Sequence, residues 1–126
     1  AAPQSDLGCR QRISADEFEA LRLILREPGS GTRQSLDDAL LAGGRPAAKA
    51  CMSIGSLTTI KSLVAGGLGY TVISRWAVKD ELASGTLRAV EITGLKIMRE
   101  FNFIYRKNGP RGFIDNFIEF CQQRLN

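Results

Sequence analysis

The sequence of 126 residues contains no histidine, and this absence removes several kinds of chemistry at once. Neither a Ser-His-Asp nor a Cys-His catalytic arrangement can form, and no zinc site can use an imidazole ligand. The cysteines Cys9, Cys51 and Cys121 stand far apart, and no Cys-x-x-Cys pair occurs. We therefore expect no metal site, no cofactor and no catalytic residue.

The three cysteines cannot all pair with one another, and an odd count of this kind indicates a reducing compartment. Free cysteine usually behaves as a small hydrophobic residue. We therefore expect Cys9, Cys51 and Cys121 to be buried or half-buried.

Long apolar runs are also missing, since the longest apolar stretches fall far short of the ~20 residues of a membrane-spanning helix. No segment combines a charged start, an apolar core and a cleavage site, so no secretory signal is visible. The first residue is Ala1 rather than Met, which predicts a processed product or a fragment. With 44% hydrophobic and 24% charged residues, the composition is that of a folded domain, with no membrane association expected.

The formal net charge of +4 raises the question of a nucleic-acid partner. The basic residues are scattered along the chain, whereas nucleic-acid binders more often show a continuous basic stripe with interleaved aromatic residues. We expect a solvated, mildly basic surface and no specific DNA binding by this chain alone.

Strand-like and helical segments alternate along the chain. Ser14 and Glu17 have the spacing of a capping box, which predicts a short first helix. Apolar periodicity and Gly or Pro breaks predict strands at 21–26, 50–54, 70–73, 87–92 and 98–105, and further helices at 32–42, 57–65, 76–83 and 111–125. This alternation predicts right-handed β-α-β units and an α/β fold with a mostly parallel sheet flanked by helices.

The loop between the strand at 21–26 and the next helix is the most informative segment. Gly29 and Gly31 allow the backbone to approach a ligand closely, and Ser30 and Thr32 carry hydroxyl donors. The free N–H groups and the dipole at a helix start favour an anion. The loop has neither the Gly-Lys-Ser/Thr of a Walker loop nor a complete GxGxxG. An ordinary turn with a helix cap remains an equal alternative on spacing alone.

Two other glycine-containing turns have simpler interpretations. Gly55-Ser56 repeats the design of that loop in smaller form, and we favour a plain N-cap for the helix at 57–65 over a second anion site. The run Gly66-Gly67-Leu68-Gly69 follows that helix, at the wrong end for an anion site. It predicts a C-cap and close packing of the chain.

Ordered pieces of the whole chain resemble one family. They are the runs Leu23-Ile24-Leu25-Arg26-Glu27-Pro28-Gly29-Ser30-Gly31-Thr32-Arg33, Ile54-Gly55-Ser56, Val64-Ala65-Gly66-Gly67-Leu68-Gly69, Glu81-Leu82-Ala83-Ser84-Gly85-Thr86-Leu87 and Ile104-Tyr105-Arg106-Lys107. This ordered set resembles the effector-binding domain of LysR-type transcriptional regulators. Members of the peroxide-sensing branch carry a reactive cysteine in the loop at 29–32, and this chain has none there.

The resemblance implies a cytoplasmic bacterial regulator whose N-terminal winged helix-turn-helix binds DNA. Its effector domain would resemble a periplasmic binding protein, with the ligand between two lobes. Residues 1–101 would form the second lobe, and residues 102–126 would form the strand and helix that return to the first lobe. Most of the first lobe would be absent from this chain. Gly29, Ser30, Gly31 and Thr32 would contact a small, anionic effector, and Tyr105 would line the cleft. DNA would be bound only through the absent domain.

Two other functions compete with this interpretation. One is a solute-binding receptor of a transport system with the same architecture, and the other is an enzyme. The enzyme has little support, because Asp37 and Asp38 lie on a predicted helix without a partner motif. We also expect a homo-oligomer, because the apolar face of the helix at 111–125 would lack the first-lobe sheet that normally covers it.

Overall fold

The computed structural model describes residues 1–99, Asn102, Ile104 and residues 111–125. Short strands and helices alternate in this part of the chain. The strands are β1 (Arg12–Ile13), β2 (Leu23–Leu25), β3 (Ala50–Ser53) and β4 (Glu91–Ile92). The helices are α1 (Ala15–Glu19), α2 (Gly31–Ala42), α3 (Leu57–Ala65), α4 (Lys79–Ala83) and α5 (Arg111–Leu125), with a 3₁₀ turn at Arg75–Val78 before α4.

Strand β2 lies between two neighbours. On one side it pairs in parallel with β3, with Leu25 opposite Ser53. On the other side Leu23 forms a parallel bridge with Tyr70, whose carbonyl accepts a hydrogen bond of 2.8 Å from the amide of Ile24. Strands β1 and β4 form a second parallel pair. Every strand pairing within the described residues is parallel, so the predicted α/β class with parallel strands is confirmed there.

The side chains of β2 enter two different hydrophobic clusters. Leu23 and Leu25 belong to a cluster that includes Leu36 of α2, whereas Ile24 belongs to one that includes Ile60 of α3. Successive side chains of a strand point to opposite faces of the sheet. Helices α2 and α3 therefore cover opposite faces of β2, which is the arrangement of consecutive β-α-β units.

The capping box at the start of α1 is confirmed. The hydroxyl of Ser14 accepts a hydrogen bond of 3.1 Å from the amide of Glu17, and the Glu17 carboxylate accepts one of 2.7 Å from the amide of Ser14. Arg10 donates to the same carboxylate at 2.7 Å. The Arg10 hydrogen bond, followed by that of the Ser14 amide, lowers the pKa of Glu17 to about 2.

The glycine run after α3 packs closely, as the sequence predicts. Gly66 caps the end of α3, and Gly69 lies against β2. A β-carbon at Gly69 would lie 2.6 Å from the carbonyl oxygen of Arg22 and 3.1 Å from Cδ1 of Ile24. Only glycine permits this approach, which brings Tyr70 into register with β2.

Several predicted strands are shorter than expected. In the segment 70–73 only Tyr70 is bridged, and in the segment 87–92 only Glu91 and Ile92 are in a strand. The chain at 71–73 has no neighbouring strand among the described residues, so β propensity alone does not extend the ladder. The sequence also missed β1, which has two residues and is too short for a periodic pattern.

The end of the chain differs from the prediction in part. The helix predicted at 76–83 is a 3₁₀ turn followed by α4, and the helix at 111–125 is present as α5. Within the strand predicted at 98–105, Met98, Arg99, Asn102 and Ile104 are in neither helix nor strand, and the other residues lie outside the described part.

The expected burial of the cysteines is wrong for two of them. Cys9 and Cys51 are exposed, and Cys121 is half-buried. Cys51 lies on β3, which has no further neighbouring strand among the described residues and exposes alternate side chains. Cys9 lies in the turn region before β1, where the core does not cover it.

We predict that Gly69→Ala destabilises the fold by about 1–3 kcal/mol, because the added methyl group would clash with the backbone of Arg22. Gly112→Ala on α5 is the matched control, since among the described residues no atom beyond its chain neighbours and its own helix backbone lies within 4 Å of the place that its added methyl group would occupy. We expect no loss there, because alanine favours a helix over glycine. Free energies of unfolding from urea titrations compare the two. Equal effects would contradict the close approach at Gly69.

Candidate functional site

The loops that follow β2 and β3 emerge at the same edge of the sheet. The amide of Ile54 donates a hydrogen bond of 2.9 Å to the carbonyl of Leu25, so the two chains stay paired until both strands end. Parallel strands place their carboxyl ends together, and ligands of open α/β sheets bind at that edge. The loop at 26–33 therefore lies where a binding site is expected.

The glycine loop forms a turn that begins α2. Gly29 has a φ of 91°, a left-handed conformation that favours glycine. The amide of Ser30 donates to the carbonyl of Glu27 at 3.2 Å, and the Ser30 hydroxyl accepts from the amide of Arg33 at 3.1 Å. Ser30 is buried and is the N-cap of α2. Its oxygen thus accepts one hydrogen bond within the protein, and its hydroxyl proton is the group that can donate to an anion.

Gly31 and Thr32 occupy the first two positions of α2, where helical N–H groups have no partner within the helix. Within the described residues, neither amide donates a hydrogen bond. Thr32 is half-buried and Gly31 is exposed. Both amides are therefore positioned as donors at the positive end of the helix dipole.

Arg99 adds a charge that the sequence interpretation missed. Its Nη1 donates to the Thr32 hydroxyl oxygen at 3.2 Å, and its Nη2 lies 3.0 Å from the position that a β-carbon on Gly31 would occupy. Arg99 is 67 residues away from Thr32 in sequence, and no local motif surrounds it. Only the folded chain brings this guanidinium to the start of α2.

The charges of Arg26 and Glu27 compensate each other beside the loop. Arg26 donates two hydrogen bonds to the Glu27 carboxylate, at 2.7 and 2.8 Å. These bonds lower the pKa of Glu27 to about 2, so the pair stays ionised at neutral pH. This pair therefore adds no net charge beside the loop, while the Arg99 guanidinium and the positive end of the helix dipole lie at the start of α2.

Arg33 connects α2 to the segment before β3. Its Nε pairs with Asp37 at 2.8 Å, and its Nη2 donates to the carbonyl of Ala48. The second oxygen of Asp37 accepts from the Ala48 amide at 3.0 Å. This network fixes α2 to the segment before β3 and so holds the loop at the sheet edge.

The structure brings Gly29, Ser30, Gly31 and Thr32 together at one helix start, as the loop sequence predicts. Tyr105, the fifth predicted contact, lies outside the described residues. Ser56 caps α3 by accepting from the Thr59 amide at 3.2 Å, which confirms the plain N-cap.

Two other kinds of site to consider in the described residues are a metal-binding cluster and a membrane-spanning helix. No group of three or more histidine, cysteine, aspartate or glutamate side chains converges there to hold a metal ion. None of the helices found in that part is long and apolar enough to cross a membrane.

The chain is similar to several named proteins. It is 40% identical over 92 residues to the HTH-type transcriptional regulator CbbR of Xanthobacter flavus. The aligned region covers 73% of this chain and 28% of that protein. It is 34% identical over 122 residues to the uncharacterized HTH-type transcriptional regulator YeiE of Escherichia coli K12. That aligned region covers 96% of this chain and 41% of that protein. It is also 38% identical over 129 residues to the phosphonates import ATP-binding protein PhnC of Anaeromyxobacter dehalogenans. Here the aligned region covers 99% of this chain and 26% of that protein.

The chain thus spans less than half the length of each of these relatives. The profile of the LysR substrate binding domain matches residues 1–126, the full sequence. That family implies a periplasmic-binding-protein-like α/β fold, in agreement with the parallel strands and helices described above. The chain therefore belongs to the LysR substrate binding domain family.

Proposed function

We propose that this chain is the ligand-sensing domain of a cytoplasmic LysR-type transcriptional regulator. A small anionic effector binds at the start of α2, and its presence controls DNA binding by a winged helix-turn-helix elsewhere in the protein. The observation that carries this proposal is the glycine loop at the carboxyl end of β2, with the Arg99 guanidinium beside Thr32.

The chemistry of the loop suits a carboxylate, sulfate or phosphate group. The amides of Gly31 and Thr32 and the guanidinium of Arg99 supply donors and positive charge. Gly29 shapes the turn, and Ser30 holds it closed as the helix cap. No step in this scheme breaks a covalent bond, and we propose binding without catalysis.

The rest of the effector site belongs to a larger two-lobed domain in this proposal. Residues 1–101 form the second lobe, residues 102–126 return to the first lobe, and Tyr105 lines the cleft between them. The family membership supports this division, as does the exposed apolar surface of α5. DNA is bound only by the part of the regulator outside this chain.

The similarity to PhnC favours a second candidate, a solute-binding function in a transport system. An ATP-binding role for this chain is not supported, because its sequence contains no Gly-Lys-Ser/Thr Walker loop. The sequence that precedes Ala1 in the complete gene product separates the candidates. A helix-turn-helix supports the regulator, whereas an export signal supports the transport receptor.

We predict that Thr32→Val weakens binding of the anionic effector roughly tenfold to a hundredfold. A hydrogen bond to a charged group contributes about 1.5–3 kcal/mol, and valine keeps the shape of threonine without its hydroxyl. A thermal-shift screen of small anions against the complete regulator identifies the effector, and calorimetry then measures its dissociation constant.

Thr58→Val is the matched control, because Thr58 holds the same position after the N-cap of α3 that Thr32 holds after the N-cap of α2. It should bind the effector as wild type does. Unchanged affinity in Thr32→Val would remove Thr32 from the site, and equal losses in both variants would show that the effect is not specific to α2.

Homo-oligomer formation is a further part of the proposal, with α5 as the contact. Phe113 and Phe120 of this helix are 75% and 52% exposed, and Ile114 and Ile118 are half-buried. Large apolar side chains grouped on one exposed helix are typical of an interaction surface.

We predict that the 126-residue chain self-associates at micromolar concentration and that Phe113→Lys weakens this association roughly tenfold to a hundredfold. The loss corresponds to about 1.5–3 kcal/mol for an aromatic side chain that is no longer buried. Leu41→Lys on α2 is the control, since Leu41 is similarly exposed at 60%. Sedimentation equilibrium gives the dimer dissociation constants, and a monomeric wild-type chain would contradict the proposal.

A further inference from the structure

A cavity of about 320 Å³ is lined by residues of both hydrophobic clusters of the core. Ile13 and Leu23 border it from one cluster, and Val64 and Leu87 border it from the other. The segment at 71–73 forms a further wall. The lining is predominantly apolar, and the cavity lies away from Ser30 and Thr32, which do not line it.

Parts of two predicted strands border the cavity. The segments at 71–73 and 88–90 both border it, and neither is in a strand. The cavity is open to solvent on the side where exposed residues border it. Apolar walls offer water few partners and make hydration unfavourable. The volume lies at the lower end of the range of small-molecule sites, about 300–1,000 Å³.

The charged side chains that line the cavity differ in whether they form ion pairs. Glu91 is neutralised by Arg12 at 3.0 Å. Arg75 and Arg88 also border the cavity, and their guanidinium groups form no hydrogen bond or ion pair within the described part of the chain. Both arginines are exposed, so they lie where the cavity meets solvent. The opening is therefore positively charged while the interior is apolar.

We propose that this cavity is a second ligand site, one that takes a medium-chain fatty acid anion. The hydrocarbon tail lies in the apolar interior, and the carboxylate contacts Arg75 and Arg88 at the opening. This site goes beyond the effector site proposed at α2, because it shares none of its residues.

Calorimetric titration of the 126-residue chain with octanoate tests the proposal, and octanol tests the role of the carboxylate. We expect octanoate to bind at one site and octanol to bind about tenfold more weakly. The double variant Arg75→Gln, Arg88→Gln should weaken octanoate binding about tenfold or more, because an ionic hydrogen bond is lost. Lys49→Gln, which removes an exposed charge away from this cavity, should leave the affinity unchanged.

Methyl NMR locates the bound tail independently of any variant. Octanoate should shift the methyl resonances of Val64, Val72 and Val90, and Val72→Trp should abolish binding by filling the space. If that variant does not fold, the methyl shifts of the wild-type chain and the octanoate affinity of the double arginine variant still test whether octanoate binds in the cavity. No binding, unchanged affinity in the double arginine variant, or displacement of octanoate by excess sulfate would each overturn the proposal. Displacement would assign the ligand to the start of α2 instead.

Discussion

Leu23, Ile24 and Leu25 are only 2%, 0% and 1% exposed, and the burial of this short strand on both faces positions the elements around it. Leu23 and Leu25 hold α2 against one face, and Ile24 holds α3 against the other. A polar residue at any of these positions would place an unpaired group in a hydrophobic cluster. Gly69 completes the arrangement, because its close approach to Arg22 sets Tyr70 beside β2.

The candidate effector site follows from this strand. Since β2 and β3 are parallel and end together, the helix start of α2 has to lie at their shared edge. The network of Arg33, Asp37 and Ala48 then fixes the direction of α2. Ser30 caps the helix, and the donors that could contact an anion belong to Gly31, Thr32 and Arg99. The Arg26–Glu27 ion pair beside the loop adds no net charge.

Features that depend on local chemistry could be predicted from the sequence. The capping box at Ser14 and the glycine run after α3 are set by neighbouring residues, and the structure agrees with both. The sequence left a helix cap and a ligand site as equal alternatives for the loop at 29–32, and in the structure Ser30 is the N-cap of α2. Strand lengths could not be predicted, because β propensity at 71–73 does not form a strand where the described part of the chain supplies no neighbouring strand. Arg99 could not be found either, since its contact with Thr32 spans 67 residues and depends on the complete fold. The exposure of Cys51 likewise depends on which strand lies at the sheet edge.

Binding of an anion at the start of α2 is the central claim, and amide NMR tests it most directly. A ¹⁵N-labelled sample of the chain is titrated with sulfate, and chemical-shift changes are followed for each backbone amide and for the side chain of Arg99. The account predicts saturating shifts centred on Gly31, Thr32 and the Arg99 guanidinium, with the amides after the Ser56 cap of α3 unaffected. Saturating shifts elsewhere on the chain, with Gly31 and Thr32 unchanged, would contradict it.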